Sequence, residues 1–159
     1  MAIPLEPVSL GESTAIRVRF FLSRSLRAEG RKILVIKYDG ICRSGDDGEP
    51  DGRFMLAMAK AGLTAWEPDG LVVDLTDLDC RQLVDGLTSL LYLGEGAFGS
   101  ENMPQVTVVG PRCEEAIRPF FHDTNVGCCI GTTREYFHDV HAAINHVEEE
   151  VADWHSRKW

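Results

Sequence analysis

Asp74, Asp77 and Asp79 stand two or three residues apart at the end of the apolar run Leu71-Val72-Val73. A strand that emerges into carboxylates is where α/β proteins place ligand sites, and such a group could hold magnesium. Two of the acids also have a plainer reading, Asp79 as the cap of a following helix and Asp77 as a loop carboxylate. His138 and His141 are three apart, so a helix would put them on one face. They lack the HExxH spacing and a third ligand, which favours surface histidines over a metal site. A nucleophilic pair would need Cys113 or Cys128 beside His122 in an electropositive, accessible setting. Cys128 and Cys129 instead sit in the apolar run 126–130, which buries them, and no GxSxG elbow activates a serine. Asp46, Asp47, Glu49 and Asp51 crowd one glycine-rich stretch without the twelve-residue calcium-loop spacing. Gly94-Glu95-Gly96-Ala97-Phe98-Gly99 matches GxGxxG, but it follows a helix and precedes a strand, the wrong order for cradling a pyrophosphate. Arg17 and Arg19 alternate with apolar residues and could bind phosphate or a carboxylate; a solvated sheet face or a defended edge is the commoner use of such a pair. No catalytic residue, metal or cofactor is therefore expected.

The elements that would position these residues are read from periodicity. Residues 1–14 form an extended lead-in, opposed to helix by Pro4 and Pro7. Ile16, Val18, Phe20 and Leu22 alternate with polar positions as a half-buried strand, and residues 33–38 form a second strand able to pair with it antiparallel. Residues 39–52 are irregular. Asp51 caps a helix whose inward stripe is Phe54, Met58, Ala61 and Ala65. Residues 71–75 are a buried strand of parallel type. Residues 76–79 form a polar loop, and Asp79 with Gln82 opens a helix bearing Leu83, Leu87, Leu90 and Leu91 that stops at Gly94. Residues 106–109 are a fourth strand, followed by a short helix over 112–118 limited by Pro119. A fifth strand over 126–130 leads to a long helix over 133–158, capped by Thr132 and Glu135. Its stripe is Phe137, Val140, Ile144, Val147, Val151 and Trp154, with Glu148, Glu149 and Glu150 on its solvated side.

The 159 residues, 44% hydrophobic and 26% charged, suit one globular α/β domain with a mixed sheet of about five strands. Five cysteines without a CxxC pair read as reduced, mostly buried thiols. With neither a signal peptide nor a membrane-length apolar window, the expected location is the cytoplasm. A net charge of −9 argues against nucleic acid as a partner. Residues 1–60 carry ten basic against eight acidic side chains, and residues 61–159 six against seventeen. The acidic part suits a protein partner with a basic surface; the oligomeric state is left open.

The patch Val72-Val73-Asp74-Leu75-Thr76-Asp77-Leu78-Asp79 resembles the "vvlDLsxvxxiDSSG" stretch of STAS domains, the anti-sigma factor antagonists. Residues 106–110 and the short helix after them resemble the next strand and helix of that family. The resemblance implies a STAS-like sheet and a non-enzymatic domain that regulates a protein partner. The family's phosphorylatable serine lies at the start of the helix after this strand, where Arg81-Gln82-Leu83-Val84-Asp85 has no hydroxyl. The switch is thus expected to be missing. The partner would meet Asp77, Asp79, Arg81 and Gln82, or the loop with Asp46, Asp47 and Asp51. A toxin-neutralising immunity protein fits the same features. The alternation also looks like a minimal crotonase or Clp-protease core, which keeps open a small enzyme or ligand-binding domain built around Asp74, Asp77 or His122.

Overall fold

The computed structural model describes residues 2–25, 27, 30–95, 102–122 and 136–157, with only the backbone of Glu95, His122 and His155. The expected 126–130 strand with Cys128 and Cys129, the Thr132–Glu135 cap, the end of the GxGxxG run and the His122 side chain lie outside the described residues.

Five strands form one mixed sheet in chain order: β1 (Arg17–Arg24), β2 (Lys32–Cys42), β3 (Gly70–Cys80), β4 (Gln105–Val109) and β5 (Tyr136–Phe137). β1 pairs antiparallel with β2, and the other pairs are parallel. The helices are α1 (Glu49–Trp66), α2 (Asp85–Leu91), α3 (Glu114–His122) and α4 (Val140–Arg157). Strand alternation divides the core in two. Leu34, Ile36, Tyr38, Leu71, Val73, Leu75 and Leu78 point toward α1, α2 and α3. Ile33, Val35, Val72, Val106 and Val108 point the other way, under Ala143, Val147 and Val151 of α4. A single mixed sheet of five strands, as expected from the sequence, is observed, with Tyr136–Phe137 as its fifth strand.

Several expected boundaries move, each for a tertiary reason. β2 runs on through Gly40 to Cys42, and β3 through the expected loop to Cys80, because the two strands pair there, with Gly40 opposite Leu78 and Cys42 opposite Cys80. Gly40 is at φ +113°, and a Cβ there would sit 2.9 Å from the Ala15 carbonyl oxygen. The register slips between Lys37 and Asp39, where β3 holds one extra residue, a bulge at the bend of the strand. Asp79 is consequently inside a strand, and α2 starts six residues after it with no side-chain cap. α1 begins at Glu49 with Gly48 as its N-cap, not under an Asp51 cap, and its buried stripe is Asp51, Gly52, Met55, Ala59 and Gly62, one residue out of phase with the expected one; Ala61 and Ala65 are exposed. α3 continues past Pro119 to His122. α4 starts at Val140 because Asp139 caps it, its carboxylate taking the Ala142 N–H at 3.0 Å. Phe137 therefore lies in β5, paired with Val108. Glu148 is buried, unlike its neighbour Glu149.

Candidate functional site

The carboxyl ends of β2 and β3 carry the expected site residues. Along β3, Leu78 and Cys80 turn into the core, so Asp77 and Asp79 turn to the opposite face. Asp77 is exposed and pairs with Lys37 Nζ at 2.9 Å. The Lys37 hydrogen bond and charge hold its carboxyl below the usual carboxylate range, with Arg112 and Arg19 pulling the same way. Beyond Cys80 the loop is tied down. The Cys80 N–H donates to the Arg112 carbonyl at 3.1 Å, and the Cys80 thiol donates to the Gln82 carbonyl at 3.1 Å. Arg81 and Gln82 stay exposed, while Val84 is buried.

Asp46 and Asp47 lie on a 3-10 turn, Gly45–Gly48, that leads into α1. Both are exposed, and Gly48 beneath them is packed so tightly against Val84 that a Cβ would fall 2.7 Å from its Cγ1. One turn further on, Gly52 of α1 meets Gly86 of α2 backbone to backbone. The structure therefore brings the turn with Asp46 and Asp47 against the loop with Arg81 and Gln82. Asp77 and Asp79 stand around the rim on the other face of the sheet.

Asp51 belongs beneath this surface rather than on it. Its fully buried carboxylate accepts the Arg43 N–H at 2.8 Å, the Arg43 guanidinium at 3.0 and 3.1 Å, and the Thr14 hydroxyl at 2.6 Å. Burial opposes its charge, but the hydrogen bonds from Arg43 and Thr14 outweigh burial and hold the carboxyl below its ordinary value. The lead-in, the end of β2 and the start of α1 are pinned together there.

The other candidates are engaged elsewhere. Asp74 is buried and accepts the Thr76 N–H at 3.0 Å and its hydroxyl at 2.5 Å. The Cys113 thiol is buried against the Leu75 carbonyl, and burial pushes it up to about 11, the reverse of what a nucleophile needs. His138 precedes α4 and so shares no helix face with His141; its Nε2 lies 2.7 Å from Glu114 Oε1. Among the described residues, no three histidine, cysteine or acidic side chains are grouped to hold a metal. Cys42, Cys80 and Cys113 are buried and unbridged, as the sequence implies. No helix among them is long and apolar enough to cross a membrane.

One feature was only partly legible in the sequence, where Arg17 and Arg19 read as a pair able to bind phosphate or a carboxylate but more often a solvated face or defended edge. Arg17, Arg19, Asp39, Gly40, Ile41, Asp77 and Arg112 line an open depression of about 400 Å³ on the side of the sheet that α4 occupies. α4 packs mainly over β3 and β4, which leaves this part of β1 and β2 uncovered by it. The period-two placement of Arg17 and Arg19 against Lys37 and Asp39 was a legible signal; Arg112, brought in by the Gly110–Pro111 turn, was not.

No family model and no curated protein matches the chain. Its fold is similar to a crystal structure of an anti-sigma factor antagonist from Mycobacterium paratuberculosis, with a TM-score of 0.51 and 17% identity over 86% of this chain and 97% of that one.

Proposed function

From a fold shared with an anti-sigma factor antagonist, we propose that this protein is a non-enzymatic regulatory domain that works by binding another protein. The observation that carries the reading is the convergence of two exposed polar segments on a tied-down base. The turn with Asp46 and Asp47 ends at Gly48, which packs on Val84 at the end of the loop with Arg81 and Gln82, over the Gly52–Gly86 contact and the Asp51 clamp. Such a preformed patch loses little ordering entropy on docking. Asp77 and Asp79, at the rim on the other face of the sheet, would form a separate contact for basic side chains of the partner.

Regulation would not run through a hydroxyl at the start of α2. The first turn there is Asp85-Gly86-Leu87, and the first hydroxyl, Thr88, is occupied by donation to the Val84 carbonyl at 3.2 Å. Asp85 puts a fixed negative charge at that end. A protein that neutralises a toxin by blocking a basic surface would use the same patch, and the identity of the partner separates the two readings.

Affinity capture from the native cell at low and high salt, followed by mass spectrometry, tests this. We expect one stoichiometric partner, weakened by salt, that is lost with Asp46→Lys/Asp47→Lys while the variant keeps its thermal unfolding midpoint. A partner retained undiminished by the folded variant, or none at either salt, would overturn the assignment.

A further inference from the structure

The open depression opposite α1 is over-supplied with positive charge in an otherwise acidic protein. Its sheet register puts Arg17 across from Asp39 and Arg19 across from Lys37. The first pair is satisfied, with the Arg17 guanidinium 2.7 Å from Asp39 Oδ1. The second sets two cations directly opposite each other, an arrangement that destabilises a strand pair unless something answers it. Lys37 leans away to Asp77, but Asp77 is a carboxylate that Lys37, Arg19 and Arg112 share. Among the described residues, no ion pair fixes Arg19 or Arg112; Arg19 rests over the Phe21 ring at 5.9 Å. The guanidinium groups come from two sides, Arg17 and Arg19 from the edge strand and Arg112 from the turn after β4. The floor is sheet, at the carboxyl ends of parallel strands, where an open α/β sheet presents its crevice.

We infer that this depression is a binding site for a phosphate-class oxyanion, free or as the terminal group of a small molecule, held by Arg19 and Arg112, with Lys37, the ion-pair partner of Asp77, adding its charge from beside them. Planar guanidinium forks match the oxygens of such a group, and a dianion supplies the charge that Asp77 alone does not. Asp39 and Asp77 are the opposing charges: Asp39 is neutralised by Arg17, and Asp77 competes with the ligand for the three cations. The volume exceeds that of a phosphate alone, so the remainder, walled by Ile41, has room for an organic moiety. The inference does not depend on the proposed protein partner.

The test titrates inorganic phosphate into the full chain at constant ionic strength, followed by amide chemical shifts. We expect saturable one-to-one shifts centred on Arg19, Lys37, Asp77 and Arg112. Arg19→Gln/Arg112→Gln, both solvent-facing, should weaken binding about tenfold, because exposed charge contacts are individually modest. Asp77→Asn should tighten it by removing the competitor, a sign that a merely structural role for Asp77 would not give. A parallel titration with glycerol 3-phosphate separates the sources, since tighter binding than inorganic phosphate marks an ester ligand and equal binding marks the free anion. Shifts that never saturate, or binding unchanged in the folded double variant, would overturn the inference.

Discussion

The Asp51 carboxylate gathers the Arg43 main chain, the Arg43 guanidinium and the Thr14 hydroxyl into one buried knot. Asp51→Ala strands the Thr14 hydroxyl and the Arg43 N–H without an acceptor. The cost should be about 2 kcal/mol, toward the lower end for such a loss because the Arg43 head reaches water. Urea unfolding at neutral pH measures it. The same group sets a pH dependence. Its folded-state pKa lies below the ordinary 3.8, so the stability it contributes is fully present above that value and drains away as pH falls through the folded pKa. Asp51→Asn should therefore flatten the acid limb of the stability profile while leaving its neutral shape alone. From the sequence Asp51 looked like a helix cap, because capping grammar is local. Its partner, Arg43, sits eight residues upstream across a turn that nothing in the letters folds back.

At the scale of elements, the contact between α1 and α2 depends on having no side chain at Gly52 and Gly86. A Cβ on Gly86 would fall 2.2 Å from the Gly52 carbonyl carbon. Gly86→Ala should force the helices apart, cost about 1–3 kcal/mol, and shift the 81–84 loop. Thermal unfolding gives the first effect and amide shifts at Arg81 and Gln82 the second. This packing also explains why α1 was phased wrongly. The residues facing the sheet and α2 include Gly52, Ala59 and Gly62, which carry almost no hydrophobic signal, whereas Phe54 and Met58 carry a strong one but are only partly covered. The misreading at β3 has a related cause. The buried run Leu71-Val72-Val73 is unmistakable, but from Asp77 onward one strand face is open, so Leu78 and Cys80 alternate with acids that look like loop. Asp77 and Asp79 were thus expected in a loop and lie in a strand. β2, β4 and the pairing of β1 with β2 were legible because their apolar runs or alternation need no distant partner to interpret.

Over the whole molecule, the two faces of the sheet are held by different means. One is sealed by three helices and Ile16; the other rests on a single stripe of α4, Ala143, Val147 and Val151. Val147→Asp would set an unpaired charge among Ile33, Val35 and Val72, a loss of about 3–5 kcal/mol by analogy with a stranded buried charge. Loss of near-ultraviolet circular dichroism at ambient temperature would register it. Charge is divided on the same large scale. The net −9 argued against nucleic acid, yet it concealed the local excess around Arg19 and Arg112. A total cannot reveal a patch whose members come from β1, β2 and the β4–α3 turn.

Because the strands lie side by side in the order in which they are translated, each one emerges from the ribosome beside a neighbour already made. The sheet can lengthen vectorially, without waiting for a distant segment to thread between existing strands. Its cover cannot. Among the described residues, the helix that covers Ile33, Val35, Val72, Val106 and Val108 is α4, whose synthesis at about 5–20 residues per second comes several seconds after β4. During that interval the nascent chain presents a flat aliphatic face, the kind of surface that ribosome-associated chaperones hold.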